Sequence, residues 1–208
     1  MRLQDKIVLI TSAQNPCAKA IVTGFAREGA ICAIVDEDAS KAQQLAAEVR
    51  ALGRRALPLQ FDVTKKSQVE EAVRRTVAEF GHIDILLNCS AIMHESDFLS
   101  FTEEAFNQCI DRGPKAYFLA AQAVGRQMAE QRSGKIINLS STDARIGSGE
   151  STGNSAAYSS IDSMTRAIAQ ALGFYGVNVN SLVCGPMDSF SGTAEEIGER
   201  LRRMPPGR

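Results

Sequence analysis

A serine and a tyrosine stand where they could pass a proton to or from a carbonyl or alcohol oxygen. Ser141 ends the strand-like run Gly134–Ser141, and Tyr158 lies near the start of the next amphipathic helical pattern. Hydroxyl groups in such positions suit proton relay. A cation one helical turn beyond the tyrosine would help the phenol ionise, but this chain has Asp162 there. A carboxylate at that position opposes ionisation.

The expected effect of Asp162 on Tyr158 is large. At a separation of ~5.5 Å and an effective dielectric constant of ~20, the carboxylate charge disfavours the tyrosinate by about 3 kcal/mol. We therefore expect the pKa of Tyr158 to rise and its side chain to remain a neutral phenol that donates a hydrogen bond. Pairing of Asp162 with Arg166, one turn further along, would relieve the effect, although Arg166 suits a solvated surface position equally well.

The composition is that of a globular chain with no strong charge. The chain has 208 residues, 44% of them hydrophobic, and a net charge of −1. That length is sufficient for one domain with a sizeable core. No run of Lys or Arg exceeds two residues, which argues against nucleic acid or an anionic membrane as a partner. No apolar stretch is long enough to span a bilayer, and no signal-peptide pattern is present, so we expect a cytoplasmic protein.

The five cysteines give no sign of a metal site or a disulfide. They lie far apart, mostly in apolar runs, and none forms a Cys-x-x-Cys pair: Cys17, Cys32, Cys89, Cys109 and Cys184. Buried reduced thiols are the favoured interpretation, and we expect no bound metal.

Short apolar runs alternate with longer amphipathic ones. The strand-like runs are Ile7–Thr11, Ile31–Asp36, Ala56–Phe61, Ile83–Asn88, Lys135–Ser140 and Val177–Val183. Helical patterns lie near 17–28, 39–52, 65–80, 102–131 and 156–172, and a short helix is predicted over Thr193–Arg203. Alternation of helices with wholly apolar strands predicts an α/β fold with a doubly wound, six-stranded parallel sheet in a three-layer α/β/α arrangement. We assign residues 1–208 to a single domain.

The turn after the first strand is where a nucleotide diphosphate would lie on such a sheet. A phosphate cradle needs glycines and free backbone N–H groups. Residues 11–18 contain no glycine, and Pro16 removes one donor. The turn is therefore either a poor phosphate cradle or a purely structural connection.

Carboxylates at two other strand ends fit a nucleotide. Asp36 ends the second strand, where it could accept hydrogen bonds from an adenosine ribose, and Asp62 and Val63 follow the third strand, where adenine could be contacted. Each has a structural alternative. Asp36 could cap the next helix, and Asp62 could do the same together with Thr64 and Ser67.

In this order, the elements resemble the short-chain dehydrogenase/reductase family from residue 3 to about 208. The resemblance is carried by residues 11–18, Asp36, residues 61–64, 81–88 and 138–141, Tyr158, and residues 176–180 leading to Gly185 and Pro186. It implies a Rossmann-like fold, NAD(H) or NADP(H) as cofactor, and hydride transfer between an alcohol and a carbonyl. Asp36 is similar to that of family members preferring NAD, because a carboxylate repels a 2′-phosphate.

The resemblance also assigns the site residues. Ser141 and Tyr158 correspond to the catalytic pair, and Ser12, Asp36, Asp62, Val63 and Asn88 correspond to cofactor contacts. Asn88 is the only residue retained from the family's four-residue motif after the fourth strand. Family members commonly pair through two long helices, which predicts a homodimer through the helices near 115–130 and 156–172. The small residues there suit helix pairing or ordinary core packing equally: Ala120, Ala121, Ala167 and Ala171.

The departures from the family pattern cluster where its chemistry resides. The three glycines of the family turn are replaced by Ser12, Pro16 and Ala18. The asparagine of the helix before the fifth strand aligns with Gly113, whose Gly-Pro sequence would preserve a bend without a side-chain amide. The lysine that holds the nicotinamide ribose and lowers the tyrosine pKa aligns with Asp162. The chain also ends before the family's last strand and part of its substrate cover.

Three functions are compatible with these residues. The first is a degenerate family member, a pseudoenzyme with a weakened NAD site and little or no hydride transfer. The second is a working NAD-dependent oxidoreductase that acts on a small alcohol or carbonyl substrate through Ser141 and Tyr158. The third is a non-redox lyase, dehydratase or isomerase using Tyr158, Ser141, Asp162 or His94. Several independent losses in one chain favour the first.

Overall fold

A computed structural model describes residues 1–90, 96–147 and 149–185 of the protein. The strands are β1 (Ile7–Ile10), β2 (Ile31–Asp36), β3 (Ala56–Gln60), β4 (Ile85–Asn88), β5 (Gly134–Ser141) and β6 (Val177–Cys184). The α-helices are α1 (Pro16–Arg27), α2 (Ala39–Ala51), α3 (Lys66–Phe80), α4 (Glu103–Ile110), α5 (Ala116–Gln131) and α6 (Thr152–Gly173). Short 3₁₀ helices span Phe98–Ser100 and Thr142–Ala144, and a π-helical segment, Asp111–Lys115, joins α4 to α5.

Within the described residues the strands form one parallel sheet in the order β3-β2-β1-β4-β5-β6. Successive side chains of a strand point to opposite faces, so each strand contributes to two helix–sheet layers. Val8 and Ile10 of β1 pack with residues of α1 and α2, whereas Leu9 packs with residues of α3 and α5. Each is almost fully buried, a contribution of about 1.5–3 kcal/mol per side chain. The predicted Rossmann-like, doubly wound fold is confirmed.

The predicted strand boundaries hold to within two residues, but the long helical pattern near 102–131 is interrupted. α4 and α5 are separated by the π-helical segment, in which Gly113 has φ −90° and ψ −112°. Pro114 causes the break, because it lacks an N–H and its ring clashes with the carbonyl one turn earlier. The bend predicted from Gly-Pro is therefore present. The helix predicted over Thr193–Arg203 lies outside the described residues.

The strand order creates a crevice at the carboxyl ends of the strands. β1 lies beside both β2 and β4, so the connections from β1 and β4 run in opposite directions along the sheet. Ligands of open α/β sheets bind at such a switch point, outside the carboxyl ends of the strands. None of the described helices combines the length and apolar character needed to cross a membrane.

Candidate functional site

A narrow cleft lies at the carboxyl ends of β1, β2 and β3. Four of the predicted cofactor residues line it together: Ser12, Asp36, Asp62 and Val63. Its other lining residues are Thr11, Gln14, Glu37, Phe61, Thr64, Ser90 and Arg112. The cavity volume is about 50 Å³, well below the roughly 300 Å³ or more of typical ligand pockets. The cleft is therefore narrow in this conformation.

The carboxylate of Asp36 is the best-bonded group in the cleft. It is only 3% exposed. One oxygen, Oδ2, accepts from the Ala13 N–H at 2.8 Å and from the Ser12 hydroxyl at 3.3 Å. The other, Oδ1, accepts from Gln14 Nε2 at 2.8 Å and from the Asp38 N–H at 2.9 Å. Four donors match the acceptor capacity of a carboxylate, so Asp36 is saturated by its own chain.

Most backbone donors of the first turn are also used internally. Ala13 donates to Asp36 at 2.8 Å, Gln14 to the Ser12 hydroxyl at 3.2 Å, Cys17 to Oδ1 of Asn15 at 2.9 Å and Ala18 to the Asn15 carbonyl at 2.9 Å. Asn15 is thus the N-cap of α1. A helix N-terminus binds a phosphate through uncommitted N–H groups. Here the cap and the carboxylate have taken them, which makes the turn a poor phosphate cradle.

Local capping explains part of the acidic pattern after β2 and β3. The N-cap of α2 is Asp38, whose carboxylate accepts from the Ser40 N–H at 2.8 Å, so Asp36 is not the helix cap. Asp62 follows its structural alternative more closely. Its Oδ1 accepts from the Thr64 N–H at 2.8 Å and from the Thr64 hydroxyl at 2.7 Å, stabilising the turn before α3. Asp36 is therefore the carboxylate that links the first two strand ends.

The bend between α4 and α5 brings a cation to the far side of the cleft. Arg112 forms an ion pair with Glu37 at 2.9 Å, and both side chains are about half exposed. The Arg112 carbonyl accepts a hydrogen bond from the Ser90 hydroxyl at 2.5 Å, which fixes the bend against the end of β4. The ion pair narrows the cleft. Because an exposed pair of this kind contributes at most about 1 kcal/mol, it does not hold the cleft closed.

Asn88 lies in a buried polar network rather than on the cleft wall. Its Nδ2 donates to Oδ1 of Asn138 at 2.9 Å and to the Tyr117 carbonyl at 3.3 Å. Asn138 in turn donates to the Thr165 hydroxyl at 2.9 Å, joining β4, β5 and α6. Oδ1 of Asn88 is buried without a hydrogen-bond partner. The structure thus separates Asn88 from the other four predicted cofactor residues.

The segment bearing Ser141 is held against the start of α6, the helix bearing Tyr158. The Ser141 hydroxyl accepts from the Asp143 N–H at 3.2 Å and caps the helix Thr142–Ala144. The hydroxyl of Ser159, next to Tyr158, donates to the Ala144 carbonyl at 2.9 Å. The elements that carry the predicted catalytic pair are therefore neighbours.

The pKa of Tyr158 is raised, as expected, but not by the expected group. Burial is the main cause, and the charge of Asp143 is the next. The charge of Asp162, which the sequence analysis gave as the cause, is not one of these two. A phenol oxygen lies at the far end of a long side chain, so helical spacing alone does not fix its distance from a carboxylate one turn away. Tyr158 is a neutral phenol mainly because it is partly buried.

The surroundings of the Asp162 carboxylate are a further departure from the lysine that the resemblance predicts at this position. Its Oδ1 is buried and has no hydrogen-bond partner. Arg166 is exposed, and the ion pairs of the described residues include none between Arg166 and Asp162. Three buried side-chain oxygens of the described residues have no hydrogen-bond partner: Asn88 Oδ1, Ser140 Oγ and Asp162 Oδ1.

These contacts match one part of a dinucleotide in type and conflict with the rest. Asp36 and the residues after β3 line the cleft where the resemblance predicts an adenosine, although the acceptors of Asp36 are already bonded within the chain. The first turn offers few free N–H groups to a diphosphate. Asp162 supplies an unpaired acceptor where the resemblance calls for a donor to the nicotinamide ribose.

Three residues with roles in the site were not identified from the sequence: Gln14, Arg112 and Asp143. A carboxylate two residues after Ser141 was a visible signal for Asp143, whereas the other two act through contacts between distant segments. His94 lies outside the described residues. Within the described part of the chain, no group of His, Cys, Asp and Glu side chains could hold a metal ion.

Comparisons with known proteins connect this geometry to a family. Residues 6–200 match the family model of the short chain dehydrogenases. Galactitol 2-dehydrogenase from Agrobacterium fabrum is 36% identical over 189 residues, covering 90% of this chain and 73% of that protein. The 3-oxoacyl-[acyl-carrier-protein] reductase of Thermotoga maritima is 30% identical over 213 residues, covering 100% of this chain and 86% of the reductase.

Solved structures agree with the sequence relatives. NAD⁺-bound xylitol dehydrogenase superposes with a TM-score of 0.88 at 25% identity, covering 97% of this chain and 76% of that one. A short-chain type dehydrogenase/reductase from Mycobacterium marinum superposes with a TM-score of 0.82 at 30% identity, covering 86% of this chain and 74% of the other.

Proposed function

The chain belongs to the short-chain dehydrogenase/reductase family, and we propose that it is a member with an impaired cofactor site, binding NAD weakly and transferring hydride weakly or not at all. One observation carries the proposal. The acceptor positions of Asp36 and most N–H groups of the first turn, which a dinucleotide needs, are occupied by hydrogen bonds within the chain. Binding must therefore break existing contacts.

The adenosine end retains the most cofactor character. Asp36, Asp62 and Val63 line one cleft. The buried carboxylate of Asp36 disfavours a 2′-phosphate, so NAD is the proposed cofactor rather than NADP. One solved relative is NAD⁺-bound, which supports this choice.

The nicotinamide end is the weaker part of the site. NAD(H), when bound, supplies the hydride. The ribose next to the nicotinamide is held in the family by the lysine that Asp162 replaces. Asp162 Oδ1 can accept a hydrogen bond but cannot donate one as an ammonium does. Orientation of the reacting ring therefore loses a charged donor, and precise orientation accounts for several kcal/mol of catalysis.

A residual oxidoreductase activity is the second candidate function. The raised pKa of Tyr158 favours this activity in the direction of carbonyl reduction. Because burial keeps this phenol protonated, it can donate a proton to a carbonyl oxygen but is a poor base towards an alcohol. Ser141 would be a second neutral donor. Reduction of a small carbonyl substrate is thus favoured over alcohol oxidation. The lyase, dehydratase or isomerase alternative has no supporting contact among the described residues.

Turnover with NADH and a panel of small ketones tests the proposal. We expect rates at least about a hundredfold below the common range of 1–10³ s⁻¹. The Tyr158→Phe variant is the control for any residual rate, since loss of the proton donor should abolish it. Turnover near 10 s⁻¹ that disappears in Tyr158→Phe would contradict impairment and establish the second candidate.

We also propose a homodimer through the helices near 115–130 and 156–172. Ala167 and Ala171 are exposed on α6 and available for pairing. Ala120 and Ala121 are buried in the core beneath α5 and serve helix–sheet packing instead.

A further inference from the structure

We propose that the Gln14 side chain competes with the adenosine ribose for the carboxylate of Asp36, so that Gln14 sets the affinity of the chain for adenosine nucleotides. This inference rests on the proposed weak NAD site and names the residue that regulates it. The group that occupies the Asp36 carboxylate is thus the side chain of Gln14, which belongs to the first turn of the protein itself.

The four donors to Asp36 differ in how readily they can leave. The N–H groups of Ala13 and Asp38 belong to the backbone at the ends of β1 and β2. Ser12 is 8% exposed, and its hydroxyl also accepts from the backbone of the turn. Gln14 alone among the four is an exposed side chain on a flexible stem. Its amide can therefore swing into solvent while the other donors stay in place.

The Gln14 amide also has the right chemistry and position for a competitor. Its Nε2 donates to Oδ1 of Asp36 at 2.8 Å, and both residues line the cleft beside Asp62 and Val63. A ribose diol would present O–H donors to the same carboxylate. Because all acceptor positions of Asp36 are filled, the diol and the amide cannot both bond to it.

The expected size of the effect follows from exchanging one hydrogen bond. A typical intramolecular hydrogen bond contributes about 0.5–1.5 kcal/mol net, which corresponds to a roughly three- to tenfold change in affinity. If Gln14 must leave before the ribose binds, removing its amide strengthens binding by that factor. If Gln14 instead holds Asp36 in place for the ligand, removing it weakens binding.

Calorimetric titration with three nucleotides tests the competition. The ligands are AMP, ADP-ribose and 2′,3′-dideoxy-AMP, which lacks the diol. The proteins are the wild type, Gln14→Ala and the control Gln43→Ala, which removes an exposed amide from α2. We expect Gln14→Ala to bind AMP and ADP-ribose about three- to tenfold more tightly, with the dideoxy nucleotide and the control variant unchanged.

Other outcomes overturn the inference. Equal or weaker AMP binding by Gln14→Ala does so, as does equal tightening of the dideoxy nucleotide, and so does absence of AMP binding by the variant at about 10 mM. These results leave the proposed weak hydride transfer standing, because that is judged by turnover with NADH. Conversely, rapid turnover overturns the proposed function and leaves the affinity comparison intact.

A second readout follows the side chain directly. In ¹⁵N spectra the Gln14 side-chain amide should shift towards the position of a free glutamine when AMP binds, while that of Gln43 stays constant. An unchanged Gln14 signal at saturating AMP contradicts displacement.

Discussion

Replacement of Asp162 by alanine should stabilise the protein. Oδ1 of this carboxylate is buried in α6 without a hydrogen-bond partner, so folding removes it from water with no compensating contact. An unsatisfied buried polar group costs about 1–3 kcal/mol. Alanine removes that group and favours a helix interior by a few tenths of a kcal/mol more. After allowing for the packing lost with the carboxyl group, we expect a gain of about 1–2 kcal/mol.

Urea unfolding and thermal melting measure the effect. For a chain of this size, 1–2 kcal/mol corresponds to an increase in Tm of roughly 2–8 °C. Ser163→Ala is the matched control, because Ser163 is exposed on the same helix and its replacement reports helix propensity alone. The difference between the two variants isolates the buried oxygen. A destabilised Asp162→Ala protein would contradict this prediction, since it would show that Oδ1 makes a favourable interaction in the free protein.

The remaining predictions concern the phenols, the first turn and assembly. Asp143→Asn should lower the pKa of Tyr158, since the Asp143 charge is the second cause of its increase. Absorbance titration at 295 nm in a Tyr175→Phe background measures this pKa, with Asp111→Asn as the control. An unchanged pKa in Asp143→Asn would contradict the prediction. The pKa values of Tyr117 and Tyr158 are raised in the folded protein, so above about pH 10 only the unfolded chain releases these protons and the free energy of unfolding should fall as pH rises. Tyr158→Phe should make this fall less steep. The same dependence on pH in the variant and the wild type would contradict the prediction. Asn15→Ala should destabilise the protein by about 1 kcal/mol through loss of the α1 cap, and Asn15→Asp, which retains an acceptor, should not. Sedimentation should show a dimer that dissociates on dilution, whereas a monomer at every concentration would reject the helix-pairing proposal.

Apolar periodicity was sufficient for the fold because burial on both faces makes each strand recognisable locally. β2 was predicted with its observed bounds, and the bend at Gly113 followed from the chemistry of proline at the next position. The strand depends on a short stretch of sequence, and the bend depends on the covalent ring of the proline. The right-handed connections of parallel strands limit the possible strand orders without fixing one.

The site was less predictable because its contacts join distant segments. Asp36 and Asp38 are both plausible helix caps by spacing, and only the position of the first turn shows that Asp36 bonds to that turn. Likewise, helical spacing pointed to Asp162 as the charge nearest Tyr158. The charge of Asp143, two residues after Ser141, instead contributes to the raised pKa of Tyr158. Side-chain direction, which the sequence does not specify, decided both cases.

Calorimetric titration of the wild-type protein with NAD⁺ measures whether hydrogen bonds within the chain occupy the proposed cofactor site. We predict a Kd of roughly 1 mM or weaker, about −4 kcal/mol, with Gln14→Ala binding more tightly. A wild-type Kd of about 10 μM or below would contradict it.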